Sequence, residues 1–347
     1  MPTIVMFTIK TDIDSLYLSR DAGGTLFVDK AYAGASDSND GLSATSPKLT
    51  IMGAVNAAGP GWTIRIAPGS YAENVVIPAG SDGIQLVGRA RDGPNKTSIA
   101  PTTGNPLTIN CSYAEISYLE LVDITAIAGS TCLSVTGYRH KIHDIAVMGA
   151  SDGCIGISLS NVDYGEIHDC YLNGAYVLNG IGILIIGDSI GTRIYHNYIT
   201  KWGSGSSDPA HVPGDPLAHN GYGIGRDHDA QRIAIEENDI IDNFVGVYFY
   251  PPPGATGLEG DYVGHNNFLE NRSYDVWDSH AHPTSAIAID ENFYGYTTGS
   301  NNWYDDPNGD NIADLIVICG TTNRDRHPVP SPYSWKNNKG NSRVGVI

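Results

Sequence analysis

A six-residue unit, apolar-x-x-Asn-like-x-apolar, returns through the middle of this chain and restricts its fold more than any other feature. It reads Ile116-Ser-Tyr-Leu-Glu-Leu121, Ile142-His-Asp-Ile-Ala-Val147, Ile167-His-Asp-Cys-Tyr-Leu172, Ile194-Tyr-His-Asn-Tyr-Ile199, Ile235-Glu-Glu-Asn-Asp-Ile240 and Val263-Gly-His-Asn-Asn-Phe268. The starts lie 26, 25, 27, 41 and 28 residues apart. A second column, Leu107-Thr-Ile109, Leu133-Ser-Val135, Ile157-Ser-Leu159, Ile183-Leu-Ile185, Ile224-Gly-Arg226 and Val247-Tyr-Phe249, steps by 26, 24, 26, 41 and 23. Both columns lengthen at the same place. One repeat of about 25 residues therefore carries an insertion of roughly 15, between Lys201 and Tyr222.

A period in the twenties built from short alternating segments is too short for helical hairpins and lacks the leucine pattern of horseshoe repeats. Each repeat buries its apolar face only by stacking on the next, which predicts a β-solenoid. Composition agrees: 41 Gly and 20 Tyr against 4 Met favour short strands and tight turns over helices. Asn197, Asn238 and Asn266 share the fourth position of the unit and are expected to stack inward, each amide bonding the next and the turn backbone. Open coil ends need caps. Thr50 to Ala58 reads as a short amphipathic helix that plugs the first coil, and beyond Ile289 the repeat becomes irregular. The expected organisation is an N-terminal extension over 1–24, a β-helix over 25–323 with its capping helix near 50–58 and a loop insertion at 201–222, and a C-terminal tail over 324–347.

A formal net charge of −18 argues against nucleic acid, since no basic stripe is available to neutralise phosphates; it suits neutral glycans or cation binding. No run reaches the roughly 18 apolar residues of a membrane span. The N-terminus meets Asp12 and Asp14 before any long apolar run and has no basic leader, so no signal peptide is visible. The five cysteines, Cys111, Cys132, Cys154, Cys170 and Cys319, read mostly as buried thiols.

Phe27-Val-Asp29, Ser36-Asp-Ser-Asn-Asp-Gly-Leu-Ser43, Ser46-Pro47, Thr50-Ile51, Ala67-Pro-Gly-Ser-Tyr71 and Glu73-Asn-Val-Val-Ile77 resemble the opening of right-handed parallel β-helix proteins of the pectate-lyase-like superfamily. That group includes secreted glycan-active proteins and phage tail-spike proteins. The central coils and the ending Asn302-Trp-Tyr-Asp-Asp306 with Gly309-Asp-Asn-Ile-Ala-Asp314 are similar to the carbohydrate-binding and sugar-hydrolase repeats of its NosD-like branch. The resemblance implies an all-β, right-handed parallel β-helix over about residues 25 to 330. It implies no single activity, because the fold hosts lyases, hydrolases, epimerases and adhesins. The Asn-Thr-Asp and Gly-His-Gly signatures of polygalacturonases are missing, and Val276-Trp-Asp-Ser-His280 only loosely resembles the Trp-Ile-Asp-His element of pectate lyases.

Outward positions on a solenoid stack about 4.8 Å apart, so residues distant in sequence line one groove. The second position of the unit supplies Ser117, His143, His168, Tyr195 and Glu236, and the third Tyr118, Asp144, Asp169, His196, Glu237 and His265. Imidazole, phenol and carboxylate groups suit sugar hydroxyls, although any solvated face is polar. The insertion brings Trp202 for stacking on a sugar ring, with Asp208, His211, Asp215 and His219. Next comes Gly225-Arg-Asp-His-Asp229, where Arg226 falls in a column of core residues; either Asp227 or Asp229 pairs with it, or the strand bulges.

The candidate catalytic residues are Asp227, Asp229 and Glu236, and the candidate carbohydrate-binding residues are His143, His168, Tyr195, Trp202, His219 and His228. Asp306, Asn308, Asp310 and Asp314 offer oxygen ligands at nearly alternate positions, a possible calcium loop and the one candidate cofactor site. Two readings follow. One is a glycan-recognising virion or cell-surface component, extracellular or on the virion, assembling as a homotrimer. The other is a polysaccharide lyase or glycoside hydrolase acting beside the 201–222 loop.

Overall fold

The computed structural model describes residues 23–124, 128–203, 221–227, 229–249, 259–271, 274–278, 286–290 and 292–294, and beyond these only short strands as far as residue 343. The fold is a right-handed parallel β-helix. Each coil gives one strand to each of three parallel sheets, which hold ten, nine and eight strands among the described residues. The coil that starts at Leu107–Ile109 in the eight-stranded sheet passes through Glu115–Ser117 in the ten-stranded sheet and Glu120–Val122 in the nine-stranded sheet. It returns to the first sheet at Thr131–Tyr138. Parallel pairing requires a long crossover, and here the rest of the coil is that crossover.

The two apolar columns are the core. Ile116, Ile142, Ile167, Ile194, Ile235 and Val263 stack with at most 1% exposure, and Leu107, Leu133, Ile157, Ile183, Ile224 and Val247 with none. The long step of 41 leaves pairing intact. Arg193–Tyr195 pairs directly with Ala234–Glu236, and Ile183 faces Ile224, so the additional residues lie outside the ladder.

From Glu115–Ser117 to Glu259–Gly264, only two residues join each strand of the ten-stranded sheet to the next strand of the nine-stranded one. The first of them, Tyr118, Asp144, Asp169, His196, Glu237 or His265, is left-handed in each coil, with φ between 51° and 58°. This places its side chain on the outer corner. The second is buried: Leu119, Ile145, Cys170, Asn197, Asn238 or Asn266. The asparagines form the expected ladder. Asn197 Nδ2 donates to Asn238 Oδ1, Asn238 Nδ2 to Asn266 Oδ1 and Asn266 Nδ2 to Asn292 Oδ1, each at 3.0 Å. The backbone N–H of each donates to the same next oxygen. A further ladder, not foreseen from sequence, joins Asn243 to Asn271 at 3.2 Å and continues to Asp275.

Helix α1, Ile51–Ala57, closes the N-terminal end. Thr50 caps it by accepting from Gly53 N, and the Glu73 carboxylate accepts from Ile51 N and Met52 N, so three orphan donors of the first turn are met. Ile51, Ala54 and Val55 turn into the core. Past Tyr294 the pairing becomes antiparallel, in a three-stranded sheet of Trp303–Asp305, Leu315–Val317 and Arg324–Asp325 and a pair of Trp335–Lys336 with Ser342–Arg343. Cys111, Cys132, Cys154 and Cys170 are buried free thiols.

Candidate functional site

The outward column is in register as read from sequence. Ser117, His143, His168, Tyr195 and Glu236 are successive paired positions of the ten-stranded sheet. The rings of His143 and His168 stack with centroids 5.0 Å apart and 2° between planes, and those of His168 and Tyr195 at 4.8 Å and 15°. Stacked rings spend their faces on one another, so this ladder presents edges; both His143 nitrogens and His168 Nδ1 face carboxylates, which leaves His168 Nε2 and the Tyr195 hydroxyl to meet a ligand. Beside it runs a column that sequence reasoning missed: Glu115, Lys141, Glu166 and Arg193, with alternating charge. The signal was available, since these residues immediately precede the buried isoleucines.

The corner residues orient the ladder. Asp144 Oδ2 lies 3.1 Å from His143 Nδ1 and Glu115 Oε1 lies 3.3 Å from its Nε2, while Asp169 Oδ2 lies 2.9 Å from His168 Nδ1. Burial pulls the His143 imidazole down, but hydrogen bonds to Asp144 and Glu115, with their charges, outweigh it and raise the pKa to about 9. His143 is thus a cation at neutral pH, held between two carboxylates. Burial, reinforced by the nearby Glu166 charge, raises Tyr195 to about 12, so its hydroxyl keeps its proton. Glu236 pairs with Arg193, whose Nε donates to Oε1 at 3.1 Å and whose guanidinium lies 4.9 Å above the Tyr195 ring. On the outer rim, Arg91 donates to the Asp169 carbonyl.

Two expectations are corrected. Trp202, expected to stack on a sugar, is fully buried. It lies among glycines that leave room for it: a Cβ on Gly174 would come within 2.7 Å of its ring, and one on Gly156 within 2.9 Å. Arg226 does occupy the core column, opposite Ile185 and Phe249, without a bulge. Its buried counter-ion, however, is Asp261 of the following coil, with Nη2 3.0 Å from Oδ2, rather than the neighbouring aspartates named from sequence. Arg226 Nη2 also donates to the Ala230 carbonyl, and Asp261 Oδ1 accepts from Ile233 N at 2.8 Å.

Asp227, half-buried, and Asp229, exposed, lie in the turn that follows Tyr222–Arg226 in the eight-stranded sheet, whereas Glu236 stands on the ladder. His219 and His228, like Asp208, His211 and Asp215, lie outside the described residues, as do Asp306, Asn308, Asp310 and Asp314. Among the described residues no group of three or more His, Cys, Asp or Glu is placed to hold a metal ion. No helix there is long and apolar enough to cross a membrane.

A family profile described as a protein of unknown function, DUF1565, matches residues 33–296, from the opening motif through the ladder coils. The chain belongs to the DUF1565 family. No curated protein matches this DUF1565 member in sequence. Among solved structures it is similar to a mutant pectin methylesterase in complex with a hexasaccharide, with 15% identity over 80% of this chain and 91% of that one and a TM-score of 0.51. It is also similar to XylC in complex with xylose, with 12% identity over 80% of this chain and 70% of that one and a TM-score of 0.52. At such identities the likeness is one of fold.

Proposed function

We propose that this DUF1565 protein is a glycan-recognising β-helix that binds an extended sugar chain along the outer face of the ten-stranded sheet, as a surface-displayed component of a virion or cell envelope. The observation that carries this reading is the His143–His168–Tyr195 stack, whose polar edges repeat at the coil spacing beside an alternating column of carboxylate and cation. Donors and acceptors at about 4.8 Å intervals suit the hydroxyl groups of successive sugar units. Carboxylates outnumber cations around the stack, which favours an uncharged stretch of glycan there. The sugar-bound state of both similar folds is in keeping with this reading.

The test is binding of the purified chain to a broad glycan panel, followed by titration of the best ligand into His168→Ala and Tyr195→Ala. Each variant should weaken binding at least tenfold while keeping the wild-type circular dichroism and melting temperature. A panel without a ligand, or variants that bind as well as wild type, would end the proposal.

An enzymatic reading, as lyase or hydrolase, has one specific support. Arg226 has its buried counter-ion in Asp261, so its neutralisation does not require Asp227 or Asp229. New reducing ends, or ultraviolet absorbance from unsaturated uronates, on the same panel and abolished by Asp227→Ala or Asp229→Ala would replace the adhesive reading by this one.

A further inference from the structure

The ladder column continues past Ser117 towards the N-terminal cap as Val87, Arg65 and Phe27, still in register. There it borders a cavity of about 220 Å³ whose other walls include Asp29, Pro47 and Arg89. These residues come from the opening motif and the first coils, and the ladder itself makes no use of them. Arg65 and Arg89 both line the cavity, and neither guanidinium has a hydrogen bond or ion pair among the described residues.

Elsewhere in the solenoid Arg91 bonds the Asp169 carbonyl, Arg193 pairs with Glu236, Arg226 pairs with Asp261 and Arg139 lies over the Tyr138 and Tyr164 rings, while Arg232 stands exposed and takes no part in lining this cavity. A solvated arginine needs no partner, but two unpartnered ones sharing a cavity, in a chain of net charge −18, mark a local reversal of the field. Asp29, the acidic residue of the cavity, already accepts from Ala31 N through Oδ1. Guanidinium forks match carboxylate, sulfate and phosphate oxygens, and Phe27 with Pro47 and Val87 supplies an apolar wall. The volume lies below the roughly 300 Å³ at which pockets for drug-sized ligands begin, so it suits one ring and not a chain.

Resting on the glycan reading above, we propose that this cavity is the end subsite of the ladder groove and holds a single sugar ring carrying one anionic substituent, taken by Arg65 and Arg89. The ligand is then a glycan with an uncharged run along the stack and an acidic unit at the capped end.

Saturation-transfer NMR on the full chain tests this with D-glucuronate, glucose 6-sulfate and glucose 6-phosphate, with D-glucose and inorganic sulfate as controls. At least one anionic sugar should bind, D-glucose should not, and inorganic sulfate at equal concentration should fail to displace the sugar. Arg65→Gln and Arg89→Gln, both at exposed positions, should each weaken binding at least tenfold. Equal binding of D-glucose, full displacement by sulfate, silence of all three anionic sugars, or indifference to both arginine substitutions would each overturn the proposal. His168→Ala separates the two ideas: anionic-sugar binding that persists in wild type and this variant, with no long glycan bound by either, would leave the subsite standing and remove the ladder as a binding face.

Discussion

Two histidines of the same coil are pushed in opposite directions. His140 accepts from Ala114 N through Nδ1 and faces the Thr136 carbonyl through Nε2, which makes it a neutral tautomer, and burial lowers its pKa to about 4. Between that value and the ordinary 6.5 the unfolded chain binds the additional proton, so stability from His140 is present above 6.5 and is lost as pH falls towards 4. His143 has the reverse sign. Its folded pKa of about 9 exceeds 6.5, so its contribution is complete below 6.5 and is lost as pH rises through 9. The melting temperature should therefore peak near pH 6.5, with His143→Gln flattening the alkaline limb and His140→Gln the acid one; a scan of melting temperature against pH on all three proteins checks this. Arg226 belongs to the same scale. Arg226→Leu removes the cation paired with the buried Asp261 carboxylate and should destabilise by about 3–5 kcal/mol, while adding Asp261→Leu should recover part of that, as measured by denaturant unfolding.

At the scale of elements, the asparagine ladder is a structural spine. Asn238→Ala removes the acceptor for both Asn197 N and Asn197 Nδ2 and the donor to the Ile194 carbonyl. Several buried groups lose partners together, so the substitution should cost about 3 kcal/mol or more in urea melts. This ladder and the rungs of the ten-stranded sheet were legible in the sequence because a fixed period converts spacing directly into register. The environment of Trp202 was not, since the space it fills is made by glycines of several coils that no linear pattern groups together. Nor was the Arg226 counter-ion, because pairing across coils joins residues adjacent in space but far apart in the chain. The ladder histidines were found for their residue types. Their stacking, and the charged column beside them, emerge only once the coils are superimposed.

At the scale of the whole molecule, stability is distributed coil by coil, each strand resting on its neighbours in the coils above and below. The ends are the vulnerable places. Val55, on the inner face of the cap helix, is 2% exposed, and Val55→Asp should lift α1 and uncover the apolar core beneath it. Light scattering coupled to size-exclusion chromatography should then show higher-order association that wild type lacks at the same concentration.

The direct pairing of Arg193–Tyr195 with Ala234–Glu236 has an evolutionary reading. The paired strands that flank the long step, Tyr198–Trp202 and Tyr222–Arg226, keep register with the coils on either side, so a lineage can change the length or chemistry of the segment between Gly203 and Gly221 without displacing a rung. The scaffold is in this sense a socket, whose coil registration is indifferent to the length of the segment plugged into it.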